Sequence, residues 1–235
     1  MAREKSGFWV WFAATFLYGL TRLLAKRVNR GTEQVPATGP ALLVMNHVSH
    51  LDPLYDAVWV HKLRRVPRFL AKDSLFKPFL VRHVMNGTGQ IPVYRGTTDA
   101  RDSLRAANEA LEQGKVVVIY PEGTVTRDPG HWPMFSRTGV ARLAVDNDVP
   151  VIPIARYGTQ EIVDVYAKKF RLFPRGTVTT VAGEPVDLAK YREGNADSAV
   201  LREVTDLLMT RVTELEAEIR GETPPADFYH HQKKA

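Results

Sequence analysis

Val116-Val117-Val118-Ile119-Tyr120 runs without a polar residue. A strand with one face in water alternates polar with apolar; an unbroken run belongs to a strand covered on both faces, the situation of a parallel sheet packed between helices. The residues before it agree. From Thr98 to Gln113 the apolar positions Ala100, Leu104, Ala107 and Leu111 follow the helical repeat, Asp99 lies in the first turn, and Gly114 stops the segment. The same alternation recurs along the chain. Strands are expected at Ala41 to Met45, Arg68 to Lys72, Ile91 to Tyr94 and Val149 to Ile154. Between them, helices are expected at Leu54 to Lys62, at Ser74 to Met85 with Pro78 starting or kinking it, and around Val140, Leu143 and Ala144. Right-handed crossovers then give an α/β fold, a mostly parallel sheet flanked by helices. Thr177 to Ala182 alternates and reads as an edge strand. Asp197 to Arg220 reads as a long amphipathic helix, capped by Asp197 and ended by Gly221.

Within 235 residues no internal linker stands out. The expected organisation is an N-terminal membrane-docking helix in residues 1–30, one α/β domain in 31–221 and a flexible tail in 222–235. The uncharged run from Gly7 to Leu20 would span only about 21 Å as a helix, against a hydrocarbon core of about 30 Å. Its Trp9, Trp11, Phe12, Phe16 and Tyr18 suit headgroup depth, and Arg3, Lys5, Arg22, Lys26, Arg27 and Arg30 flank it. No small-residue cleavage site follows, so a removable signal is not expected. The run therefore reads as peripheral or monotopic, on the cytoplasmic face of the cell membrane.

The net charge of +6 favours anionic partners, an anionic membrane surface among them. No helix-turn-helix, RNP-like strand or zinc-finger spacing is present, so nucleic acid is set aside. The absence of cysteine excludes disulfides, thiolate metal sites and an acyl-thioenzyme intermediate.

Directly after the first strand stands Asn46-His47-Val48-Ser49-His50-Leu51-Asp52-Pro53. An imidazole and a carboxylate five positions apart would sit about 140° apart on one helix and never meet. They meet if His47 lies in the loop and Asp52 in the first turn of the next helix, a turn that Pro53 suits. His47 then reads as a general base and Asp52 as its orienter. Lys72, Arg95 and Glu122 also fall just after expected strands, on the rim where α/β sheets bind ligands.

Taken together these blocks resemble the glycerolipid acyltransferase family, the lysophosphatidic acid acyltransferases and their relatives. The resemblance runs from about Leu42 to Ala155 and rests on four blocks: Asn46 to Pro53, Gly89 to Arg95, Tyr120 to Thr126, and Val149 to Pro153. It implies transfer of an acyl group from acyl-CoA or acyl carrier protein to the hydroxyl of 1-acyl-glycerol-3-phosphate, a membrane lipid, giving phosphatidic acid. It also implies that His47 and Asp52 are catalytic and that Lys72, Arg95, Glu122, Gly123, Thr124 and Arg127 bind substrate. In that assignment the three cations hold the acceptor phosphate and Glu122 a glycerol hydroxyl. No metal and no other cofactor is called for. The chain departs from the pattern at Val125, where the family often has arginine, and Arg127 is the expected substitute.

Two other readings stand beside this one. The acceptor is another lysophospholipid or a glycolipid, for which the basic segment Lys168 to Arg175 could serve the headgroup. Alternatively His47, His50, Asp52 and Asp56 form the ligand cluster of a metal-dependent hydrolase.

Overall fold

The computed structural model describes residues 7–93, 99–194 and 196–231. Its centre is a seven-stranded sheet, ordered β1-β9-β6-β2-β5-β3-β4. The strands are β1 (Lys26–Arg30), β2 (Ala41–Met45), β3 (Pro67–Lys72), β4 (Ile91–Val93), β5 (Val116–Ile119), β6 (Val151–Tyr157) and β9 (Thr177–Ala182). From β6 through β2, β5 and β3 to β4 every pairing is parallel. Leu43 sits at the middle, paired with Val118 on one side and Ile152 on the other.

Helices cover both faces, which is why the central strands do not alternate. Leu42, Val44, Val117 and Val151 face one cluster with α4 (Asp99–Glu112), α5 (Gly139–Asp146) and α7 (Ser198–Arg220), while Leu43, Met45, Val118 and Ile152 face another with Trp59 and Val60 of α2 (Asp52–Lys62). All eight strand residues are 0 or 1% exposed. At about 25 cal/mol per Å² of apolar surface, this double-sided burial is the main term fixing the strand order and register.

Three expectations need correction. Thr177 to Ala182 is no edge: β9 pairs antiparallel with β6 on one side and parallel with β1 on the other. The boundary at residue 30 falls inside the sheet, because Lys26–Arg30 is itself a strand; Lys-Arg-Val-Asn-Arg carries too little apolar alternation to announce it. The tail after Glu222 folds back on the body, where Tyr229 O accepts from Phe135 N at 3.0 Å.

α1 (Phe8–Leu24) packs on α2 and on α3 (Phe79–Gly87). The approach to α3 is close enough to require glycine, since a Cβ on Gly87 would lie 2.1 Å from the Trp9 ring. The outer surface of the pair is apolar: Phe8, Trp11, Phe16 and Leu23 of α1 and Phe79 and Leu80 of α3 are exposed. Among the described residues no helix is long and apolar enough to cross a membrane.

Candidate active site at the carboxyl ends of the strands

β2 ends at Met45, and the chain turns through His47 before α2 begins at Asp52, with Pro53 in the first turn. Leu51, at the N-cap, offers no side-chain acceptor to the free N–H groups of this helix start. The Asp52 carboxylate instead folds back over the preceding loop: its Oδ2 accepts from Val48 N at 2.7 Å and from Ser49 N at 2.8 Å. The same oxygen lies 2.8 Å from His47 Nδ1. Oδ1 accepts from the Thr159 hydroxyl, presented just beyond β6. Asp52 is fully buried, while 13% of the His47 side chain remains exposed.

This network selects the imidazole tautomer. A carboxylate that receives two backbone N–H groups and a hydroxyl is an acceptor, so Nδ1 of His47 must carry the proton it shares with Asp52. Nε2 is then a lone-pair acceptor, the form required of a general base. The ring is held flat by Tyr120, whose ring centroid lies 4.5 Å away with the planes 21° apart.

Behind the base lies a second layer of buried polar groups. Glu122, after β5, accepts from His47 N at 2.8 Å and from Met134 N at 3.1 Å. Both oxygens are thereby used, and the residue is 4% exposed. The sequence placed Glu122 as a ligand of a glycerol hydroxyl. The structure shows it as a tie that fixes the His47 backbone to the loop after β5, one oxygen on each N–H. Burial pushes its carboxyl up to about 8, the N–H groups of Met134 and His47 pull it down, and Glu216 pushes it up again.

Asn46 joins this layer to the last helix. Its Nδ2 donates to Glu216 Oε2 at 2.7 Å and to Arg156 O at 2.9 Å, and its Oδ1 accepts from Arg156 N at 2.8 Å. Glu216 also accepts from Arg220 at 3.1 Å. Burial raises the Glu216 carboxyl to about 8 against the opposing pull of Arg220. Arg156 pairs with Asp56, which also accepts from the Tyr120 hydroxyl. Burial lowers the Arg156 guanidinium to about 10.

Arg156, Thr159 and Glu216 were not singled out in the sequence, and Asp56 and Tyr120 were named there without these supporting roles. Asp56 follows Asp52 by one helical turn and Tyr120 precedes Glu122, so their places were inferable. Thr159 and Glu216 come from distant segments with nothing around them to mark the contact.

The expected cations are less gathered. Lys72 closes β3 and is exposed on the same rim. Arg95 lies outside the described residues. Arg127 is exposed, and its guanidinium meets His231 of the folded-back tail. Val125 points inward at 2% exposure, so this position presents nothing to the rim. Thr124 is partly exposed between them. Gly123 turns at φ +69°, and a Cβ there would lie 3.3 Å from Arg137 Nε. An exposed arginine unmarked by any sequence motif therefore overlies the Glu122-Gly123 turn. No hydrogen bond or ion pair engages the Arg137 side chain among the described residues.

The metal-cluster reading loses its ligands. Asp56 is committed to Arg156 and Tyr120, His47 Nδ1 is committed to Asp52, and no group of three candidate ligands occurs among the described residues.

Residues 26–157 match the family described as Acyltransferase. Among similar proteins, a chloroplastic 1-acyl-sn-glycerol-3-phosphate acyltransferase of Brassica napus is 27% identical over 159 residues, 67% of this chain and 44% of that protein. The 1-acyl-sn-glycerol-3-phosphate acyltransferase alpha of Mus musculus is 34% identical over 163 residues, 68% of this chain and 52% of that protein. The chain thus spans about half the length of these curated relatives. The crystal structure of the 1-acyl-sn-glycerophosphate (LPA) acyltransferase PlsC from Thermotoga maritima is similar with a TM-score of 0.66 and 27% identity, over 88% of this chain and 80% of that one.

Proposed function

This chain belongs to the acyltransferase family, and on that premise we propose that it moves a fatty acyl group from a thioester donor to the free hydroxyl of 1-acyl-glycerol-3-phosphate, giving phosphatidic acid. The observation that carries the reading is the saturation of Asp52. With Val48 N, Ser49 N and Thr159 all donating to it, Asp52 can only accept from His47 Nδ1–H, which makes Nε2 the lone-pair nitrogen of the neutral ring. A polyol hydroxyl is a poor nucleophile until its proton is taken, and an imidazole is the side chain suited to that near neutral pH.

In the proposed step the acceptor oxygen attacks the thioester carbonyl as His47 Nε2 takes its proton. The carbon–sulfur bond then breaks, and the imidazolium returns the proton to the departing thiolate of CoA or of acyl carrier protein. The products are ester and thiol, with no covalent enzyme intermediate. Asp52 stabilises the imidazolium between the two transfers. Lys72, Arg95, Arg127 and Arg137 are the cations proposed for the acceptor phosphate, with Gly123 and Thr124 allowing close backbone approach beside them. No metal or redox group enters this chemistry.

The enzyme is proposed to work as a peripheral or monotopic protein at the cytoplasmic membrane face. The exposed aromatic side chains of α1 and the neighbouring apolar residues of α3 support this, with Arg22, Lys77 and Arg82 placed to meet lipid phosphates. The test is an acceptor panel with one labelled acyl-CoA. Lysophosphatidic acid as the preferred acceptor supports the assignment. Preference for a zwitterionic lysophospholipid or a glycolipid would instead mean that the buried Val125 marks a different headgroup.

A further inference from the structure

Between β7 (Val163–Asp164) and β9 the chain leaves the body as an arm that includes β8 (Lys169–Phe170). From Val165 to Gly176 it contains Lys168, Lys169, Arg171 and Arg175 and no acidic residue. Between these cations stand Tyr166, Phe170, Leu172 and Phe173, exposed by 49, 65, 40 and 84%. Such alternation of cations, without an acidic neighbour in the segment, with exposed aromatic and aliphatic side chains is costly in water and matches an anionic lipid interface, where rings enter the headgroup layer and cations meet phosphates.

The arm is fastened at both ends. Arg175 donates to the carbonyls of Arg22 and Ala25, which ties this end of the arm to the end of α1, where Leu23 is exposed. At its base, Ser49 Oγ donates to Val163 O at 2.8 Å and the Tyr166 hydroxyl donates to Val125 O at 2.9 Å. One end thus continues the apolar surface of α1, and the other touches the loops that carry His47 and Glu122.

We propose that the arm is a second membrane-contacting element, which inserts Phe170, Leu172 and Phe173 into an anionic bilayer surface and so sets the active-site rim at the depth of the lipid headgroups. This goes beyond the acyl-transfer reading and does not depend on which acceptor is used.

The test uses the full chain, whose lack of cysteine allows a single label. Phe173→Cys carrying an environment-sensitive dye should shift to the blue on phosphatidylglycerol-containing vesicles, while the same dye at Glu109→Cys, exposed on α4, should not. The triple variant K168Q/K169Q/R171Q should bind these vesicles roughly a hundredfold more weakly, at about 1 kcal/mol per cation near an anionic surface. Its rate on a water-soluble short-chain acceptor should stay unchanged. Absence of the shift together with unchanged vesicle binding would overturn the proposal. So would a shift that follows protein concentration without lipid, which would make a second copy the occupant. A raised KM for the soluble acceptor in the triple variant would overturn it in favour of a headgroup-binding role. Vesicle binding is read without turnover, so failure of acyl transfer would leave this result standing.

Discussion

Glu216, close to the end of the last helix, hydrogen-bonds Asn46, the residue before the histidine proposed as base, at 2.7 Å. The contact crosses 170 positions and couples the closing helix to the site. Its energetic sign is not that of a simple staple. Burial raises both Glu216 and Glu122 from 4.5 to about 8. Between those values the unfolded chain has released protons that the folded chain still holds, so the folded state loses stability as pH rises through this window and levels off above it. Denaturant unfolding of the wild type across pH 5 to 9 should show midpoints falling toward alkaline pH. Glu216→Gln should flatten that slope, and an equal slope in the variant would mean that Glu216 does not titrate there.

Thr159 acts on the base only through Asp52. Thr159→Val removes a hydroxyl donor to a buried carboxylate, an interaction of about 1.5 to 3 kcal/mol. The expected result is a kcat lowered roughly tenfold or more, KM for either substrate little changed, and recovery in Thr159→Ser. A fall in KM-linked terms alone would place Thr159 outside the proton-transfer network.

The two exposed arginines of the loop after β5 separate two accounts of the missing arginine at position 125. Arg137 lies over the Gly123 turn, whereas Arg127 faces the folded-back tail. Arg137→Ala should raise KM for a phosphate-bearing acceptor by roughly tenfold to a hundredfold, with KM for acyl-CoA little affected. Arg127→Ala should do much less. The reverse order would make Arg127 the principal phosphate contact of the two.

Much of the fold was legible because double-sided burial writes itself into strands such as Val116–Ile119, and the helices between them carry clean periodicity. β1 was not legible, since an outer strand reading Lys-Arg-Val-Asn-Arg looks like the basic flank of the preceding helix. β9 was identified but misplaced for the same reason, because only the hidden β1 takes it off the edge. In the site, the spacing of His47 and Asp52 led to the correct local geometry of loop and helix start. The supporting layer stayed hidden because a single Thr159 or Glu216 has no pattern in the chain, only a place in the folded sheet. Glu122 is a different case: the motif drew attention to the residue, but its tie to the His47 and Met134 backbone shows only in the fold.

The proposal that His47 is the base for acyl transfer meets its most direct test in one assay. Purified wild-type and His47→Ala protein would be given acyl-CoA and 1-acyl-glycerol-3-phosphate, with phosphatidic acid and free thiol measured together. The wild type should release one thiol for each phosphatidic acid formed, and His47→Ala, with unchanged circular dichroism and vesicle binding, should be slower by about 10² to 10⁴. A His47→Ala rate equal to that of the wild type, or a wild type that releases thiol without forming phosphatidic acid, would contradict it.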